Sequence, residues 1–143
     1  MTIDKDVAMT AWEAAFGDVE MATDCYGVWM KRSDYGDHET KRKAAGGKSY
    51  YYGWDLDHIR PRSDFENETD ADFYNNLEPV HFINNSEKAD KYPAYVVRGQ
   101  EYTVVKCEIC ASNGVPGYGI KLKSSGGRVD WKARKGICFK NGK

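Results

Sequence analysis

The chain has 143 residues, of which 41% are hydrophobic, 30% charged and 13% aromatic, a composition that excludes wholesale disorder and suits one globular domain. Mean hydropathy is −0.74, and the longest uncharged stretch, Ile109 to Ile120, is interrupted by Gly114, Pro116, Gly117 and Gly119, which excludes a membrane-spanning helix. The 21 basic and 22 acidic residues leave a net charge of -1, so any nucleic-acid role must rest on a local patch.

Met1-Thr2-Ile3-Asp4-Lys5-Asp6 lacks the apolar core of a secretory signal, so a cytoplasmic location is expected, without a disulfide frame. Val7, Ala8, Ala11, Trp12, Ala15 and Phe16 recur at helical spacing and predict a helix over residues 4–16 that Gly17 ends. Asp24 to Lys31 has strand character, residues 32–49 read as an exposed polar connection, and Tyr50 to Leu56 as an aromatic-rich strand. A polar stretch to Tyr74, an apolar piece from Leu77 to Phe82 and a helix over about residues 83–90 follow. The remainder reads as β-rich. Tyr95 to Val97 and Tyr102 to Val105 flank a turn, and Tyr118, Ile120 and Leu122 alternate with Gly119, Lys121 and Lys123 ahead of a Ser-Ser-Gly-Gly turn. The expectation is one α+β domain with no repeat or linker.

The stretch from Gly53 to Pro93 carries the chemistry. It contains Trp54-Asp55-Leu56-Asp57-His58-Ile59-Arg60-Pro61-Arg62-Ser63 and, after an insertion, Asn75-Asn76-Leu77-Glu78-Pro79-Val80-His81-Phe82-Ile83-Asn84-Asn85-Ser86-Glu87-Lys88. Asp-His-Ile-x-Pro-x-Ser, then Asn-Leu, then Asn-x-x-Lys, in that order over about 40 residues, resembles the HNH nucleases, in particular small stand-alone bacterial and phage HNH proteins. The resemblance implies a ββα-metal (His-Me finger) core over about residues 50–93, with an N-terminal helix and a β-rich extension over about residues 94–143. It also implies endonucleolytic hydrolysis of DNA.

That chemistry requires a base, a water and positive charge beside the departing oxygen. His58 is the candidate base, because imidazole titrates nearest neutral pH. Asp57 and Asn85 offer hard oxygen ligands to one divalent cation, Mg²⁺ or Mn²⁺. Neighbours on a regular strand point to opposite faces, so Asp57 and His58 share a site only if the strand ends or twists there. By resemblance Asn76 braces the loop and orients His58, making a His-Asn-Asn variant, while Arg60, Arg62 and Lys88 are placed to contact phosphates. The Asn-x-x-Lys spacing favours Asn85 as ligand and Asn84 as helix cap. His81 is a possible additional metal or phosphate contact, with packing or support of the site favoured because the motif is complete without it. His38 gets no functional reading.

Cys107-Glu108-Ile109-Cys110 has the gap of a zinc knuckle that Cys25 and Cys138 would complete as a structural Zn²⁺ site; packing of the cysteines as small hydrophobes is the rival, favoured reading. Basic residues cluster twice. Lys121, Lys123, Arg128, Lys132, Arg134, Lys135, Lys140 and Lys143 face the single acid Asp130, and Lys31, Arg32, Lys41, Arg42, Lys43 and Lys48 form the second group. With a nuclease motif between them, phosphate tracking is the better reading for at least one cluster. Against it stands the insertion, where Asp64, Glu66, Glu68, Asp70 and Asp72 would repel DNA unless they point away, restrict the substrate or bind a protein partner. The expected function is therefore a metal-dependent HNH endonuclease, nicking or cutting both strands. A non-cleaving module that grips nucleic acid or protein on the same scaffold is the alternative.

Overall fold

Helix α1 (Lys5–Phe16) opens the chain as its periodicity predicts. Asp4 caps it by accepting from the Asp6 N–H, and Gly17 ends it at φ 80, donating to the Glu13 carbonyl. The computed structural model describes residues 3–112 and 114–137. It is a mixed α+β chain of short helices and small antiparallel sheets. No helix among the described residues is long and apolar enough to cross a membrane.

Strands β1 (Met21–Thr23) and β2 (Trp29–Lys31) pair around a tight turn, so the expected strand over Asp24 to Lys31 is half turn and half strand. The reason is Asp24, whose Oδ1 accepts the N–H groups of Tyr26 and Val28 and bends the chain back. The polar connection is also more ordered than expected. Lys41–Lys43 forms β3, paired with β4 (Ser49–Tyr51) across a turn in which Gly46 and Gly47 take φ of 93 and 86. The single strand expected from Tyr50 to Leu56 is split at Gly53, where a Cβ would lie 1.6 Å from the Asp37 carbonyl oxygen.

The unit that positions the site follows. Strand β5 (Trp54–His58) runs antiparallel to β6 (Leu77–His81), with Asp57 opposite Glu78, and helix α2 (Phe82–Lys88) follows directly. Two cores flank this unit. Ala8, Ala11 and Trp12 of α1 pack with Met30, Trp54, Leu56 and Leu77 on one side. On the other, Ile59 joins Tyr95, Val97, Tyr102, Val104, Tyr118 and Ile120 from the sheet of β7 (Ala94–Val97), β8 (Gln100–Ser112) and β9 (Val115–Leu122). The expected β-rich extension is this sheet, and its first hairpin turns at Arg98 and Gly99, both at positive φ.

A short helix, α3 (Trp131–Arg134), was not anticipated from the sequence. Asp130 caps it and also accepts from the Ile120 N–H and the Arg128 fork, while the Trp131 N–H donates to Glu78 Oε2 on β6 at 2.9 Å. Burial pushes Glu78 up from 4.5 to about 8, against the nearby Lys132 ammonium, which pulls it down. The folded protein thus keeps the Glu78 proton where the unfolded chain has lost it. The stabilisation this brings is complete below the ordinary glutamate range and is lost as pH rises through about 8. Melting temperature should therefore fall between about pH 6 and about pH 9, by at least about 4 °C more in wild type than in Glu78→Gln. Equal slopes in the two proteins would show that Glu78 is already ionised in the fold.

Candidate functional site

Strand β5 ends at His58, and the cause is a buried carboxamide. Asn76 Oδ1 accepts the Arg60 N–H at 2.9 Å, and its Nδ2 donates to the carbonyls of Arg60 at 3.1 Å and Ala71 at 2.9 Å. The Asn76 carbonyl also takes the Ile59 N–H. One side chain thereby satisfies the backbone groups beyond the strand and turns the chain out of it. The loop-bracing part expected of Asn76 is what the structure displays; it holds the residues on either side of the site without touching the His58 ring.

Asp57 and His58 both line a cavity of about 480 Å³ with Tyr35, His38, Asp55, Arg62 and Asn85. The His58 ring is fixed by Asp72, whose Oδ1 lies 2.7 Å from Nε2. A carboxylate can only accept, so Nε2 carries the proton and the lone pair lies on Nδ1, which has no hydrogen-bond partner among the described residues. Asp72 Oδ2 accepts from Arg62 at 3.3 Å, so this residue of the acidic insertion bridges the two. The insertion folds back at both ends, Asp64 onto Arg60 and Asp72 onto His58.

Asp57 is buried and pairs with Lys88 of α2, whose Nζ donates to Oδ1 at 3.1 Å and to the His58 carbonyl at 3.2 Å. Burial pushes the Asp57 carboxyl up, against the Lys88 ammonium. Asp57 Oδ2 is buried without a hydrogen-bond partner among the described residues. Asn85 lies half-buried on the cavity wall, and among the described residues no group hydrogen-bonds its side chain. These are two hard oxygen donors with unspent acceptor capacity, which fits a divalent cation whose remaining positions are filled by water and phosphate oxygens. No three His, Cys, Asp or Glu side chains among the described residues are grouped as a fuller metal site.

Other candidates are placed differently. Lys88 is 1% exposed and serves as the counter-ion of Asp57, so it does not present a surface charge to phosphate. Arg60 is sequestered too. It forks onto Asp64, donates to the Tyr118 hydroxyl at 2.6 Å and lies against the rings of Phe65, Tyr92 and Tyr118. Of the three expected phosphate contacts, Arg62 alone lines the cavity. His81 has both ring nitrogens engaged. Nδ1 accepts the Ile83 N–H and caps α2, and Nε2 donates to the Tyr51 carbonyl at 2.9 Å. It packs and supports, as favoured, and it displaces Asn84 from the capping role; Asn84 instead donates to Asp24 Oδ2.

Among the described residues Cys107 and Cys110 bring their sulfurs to 2.8 Å, and Cys25 belongs to a different cluster. Cys25 packs against the Tyr95 core, Cys107 and Cys110 form their own small cluster, and Cys138 lies outside the described residues. Cys25 and Cys107 are free thiols while Cys110 is disulfide-bonded, contrary to the expectation of no disulfide, and a disulfide sulfur is no thiolate ligand.

Two residues of the site were missed in the sequence. Asp72 was read only as repulsive charge, and nothing in the primary pattern pairs it with His58. His38 stacks on Phe82 at 4.5 Å, has Nε2 3.0 Å from both Asp55 carboxylate oxygens, and lines the cavity. No family model matches this chain, and no curated protein or solved structure matches it either.

Because Lys88 and Asp57 are a buried pair, removing one partner strands the other. Lys88→Ala should cost about 3–5 kcal/mol in denaturant unfolding, and the double variant Lys88→Met with Asp57→Asn should recover most of it. A double variant no more stable than the single would show that the charges do not act as a pair.

Proposed function

We propose that this chain is a metal-dependent endonuclease of the HNH kind, hydrolysing phosphodiester bonds in DNA. The observation that carries the reading is the convergence of Asp57, His58 and Asn85 on one cavity at the end of a strand-strand-helix unit, with His58 Nε2 held by Asp72 and Nδ1 without a hydrogen-bond partner among the described residues. This arrangement supports a ββα-metal core, built from β5, β6 and α2.

In this reading His58 Nδ1 takes the proton of the attacking water. Asp72 holds Nε2–H, so that the ring presents its lone pair and the imidazolium formed has an adjacent negative charge. Asp57 and Asn85 would hold a divalent cation, which would supply Lewis acidity at the scissile phosphate. Arg62 contacts a non-bridging phosphate oxygen, and its bond to Asp72 places it beside the base. Asn76 keeps the two halves of the constellation in register through Arg60 and Ala71, the residue before Asp72.

A second reading, a gripping module that does not cut, is favoured by one observation: the Lys88 ammonium already sits on Asp57 Oδ1. Incubating supercoiled plasmid with Mg²⁺, with Mn²⁺ or with chelator separates the two. The nuclease nicks or linearises the plasmid only with metal, and His58→Ala lowers the rate about 10²–10⁴-fold, the range of general-base contributions. Folded wild-type protein that cuts under neither metal sinks the nuclease reading in favour of the module.

Asp72→Asn should lower kcat about 10- to 100-fold with KM nearly unchanged, as for other outer carboxylates that orient a functional imidazole. A change in KM alone would make Asp72 a substrate contact instead.

A further inference from the structure

The β3–β4 hairpin presents a second surface that the proposed chemistry leaves unused. Lys41, Arg42 and Lys43 are all exposed on β3, opposite Tyr51, Tyr50 and Ser49. Facing residues of an antiparallel pair share a side of the ribbon, and Lys41 Nζ lies 5.1 Å from the Tyr51 ring centroid. Arg42 is spent on a two-point contact with Asp34. Lys41, Lys43 and Lys48 are in no ion pair among the described residues.

Beside them lies a groove of about 790 Å³ whose walls include Met21, Val28, Trp29, Tyr50, Tyr52 and Arg98, with no carboxylate among its lining. Trp29 is 54% exposed and Tyr50 46%. Trp12, Trp54 and Trp131 are by contrast buried, each with its indole N–H bonded to a carbonyl. An exposed indole and phenol over an apolar groove mark a surface that something covers.

The covering partner is selected by charge. A protein partner or second copy would bury the rings without needing cations around them, and duplex DNA keeps its base faces stacked out of reach. An unpaired strand offers both complements at once, bases to stack on the rings and phosphates for unpaired lysines. The hairpin also adjoins the cavity. The Tyr51 ring meets Phe82 edge-on at 5.6 Å, and Phe82 stacks on His38, which lines the cavity.

We propose that the hairpin and groove bind an unpaired nucleic-acid strand, with Trp29 and Tyr50 stacking on bases and with Arg98 in the groove wall and Lys48, on the Tyr50 side of the ribbon, contacting phosphates. This deepens the nuclease reading by naming its substrate as DNA or RNA with unpaired bases, and rests on that reading only for the cleavage that follows.

The test is titration in chelator, which keeps cleavage out of the measurement. Oligothymidylate and oligouridylate of about 15 nucleotides, an abasic strand of the same length and a blunt duplex are compared, a length that spans typical single-strand site sizes. Tryptophan fluorescence should be quenched by the two base-bearing strands, because Trp29 is the exposed indole. By anisotropy of a labelled strand, Trp29→Ala and Tyr50→Ala should each weaken binding about tenfold, within the ~1–3 kcal/mol expected per stacked base. Replacing Lys48 and Arg98 by Gln should lower the salt slope by about 0.7 for each phosphate that the two cations neutralise in wild type, whereas Lys41→Gln, on the Tyr51 side of the ribbon, should leave the slope unchanged.

The tighter of the two polymers identifies the source of the strand. Equal binding of the abasic strand or the duplex, or unchanged affinity in both aromatic variants, overturns the inference. So does absence of binding together with dimerisation on sedimentation, which gives the groove to a second copy. Trp29-dependent binding in a protein that never cleaves would overturn the nuclease reading and leave this one standing.

Discussion

The return of the acidic insertion to His58 depends on where β5 stops. Were the strand to continue past His58, the backbone groups of Arg60 would pair within the ribbon and the chain would not turn out of it. The Asn76 carboxamide prevents that by standing in for a peptide group. It takes the donor and the acceptor of Arg60 that a neighbouring strand would otherwise claim, and it ties Ala71 to the same point. The residue after Ala71 is the one that holds the His58 ring. A single buried side chain therefore sets the end of the strand, the exit of the chain and the return of the insertion.

The second constraint is the number of charges inside so small a chain. Asp24, Asp57, Glu78 and Lys88 are all buried. Such groups are costly unless partnered, and their partners here come from distant parts of the chain. Asp24 receives the N–H groups of Tyr26 and Val28 through one oxygen, and the His81 N–H and Asn84 amide through the other. It thus locks the β1–β2 turn to the start of α2. Lys88 locks the end of α2 to β5, and Glu78 locks β6 to α3. Apolar packing on the two sides of the ribbon supplies cohesion, but it is not directional. The buried polar bonds are directional, and they fix how α2 lies over β5 and so where Asn85 stands relative to Asp57.

Much of this was legible in the sequence. The helical spacing of Ala8, Ala11, Trp12 and Ala15 located α1, and the Arg98-Gly99 turn between β-branched runs located β7 and β8, because these are local signals that burial only reinforces. The order of Asp57, His58 and Asn85 suggested that they share a location, and all three line one cavity. The residues that escaped are those whose partners lie far along the chain. Lys88 and Arg60 read as phosphate contacts because a basic side chain gives no local sign of being buried, as Lys88 is, or of being engaged by aromatic rings and a carboxylate, as Arg60 is. Asp72 sits 14 residues from His58 within a run of acids, where solvated repulsion is the ordinary expectation. The β3–β4 hairpin escaped for the opposite reason, since it is exposed on both sides and lacks the alternation that marks a half-buried strand.

The acids around the cavity then take on a definite sense. Asp55, Asp57 and Asp90 line it, with Arg62 as the cation in its wall, and the Lys88 charge behind Asp57 is already committed. A phosphodiester entering such a space meets a surface that repels it. On the proposed reading a divalent cation on Asp57 and Asn85 reverses that balance, so the same carboxylates that oppose nonspecific binding would make productive entry depend on metal. The attraction that brings the strand near would come from elsewhere, and on the same reading Lys48 of the β3–β4 hairpin and Arg98 beside it would supply it. On that reading the acids that condition entry, Asp55, Asp57 and Asp90, line the cavity, while the cations that would gather substrate stand on a separate, exposed hairpin.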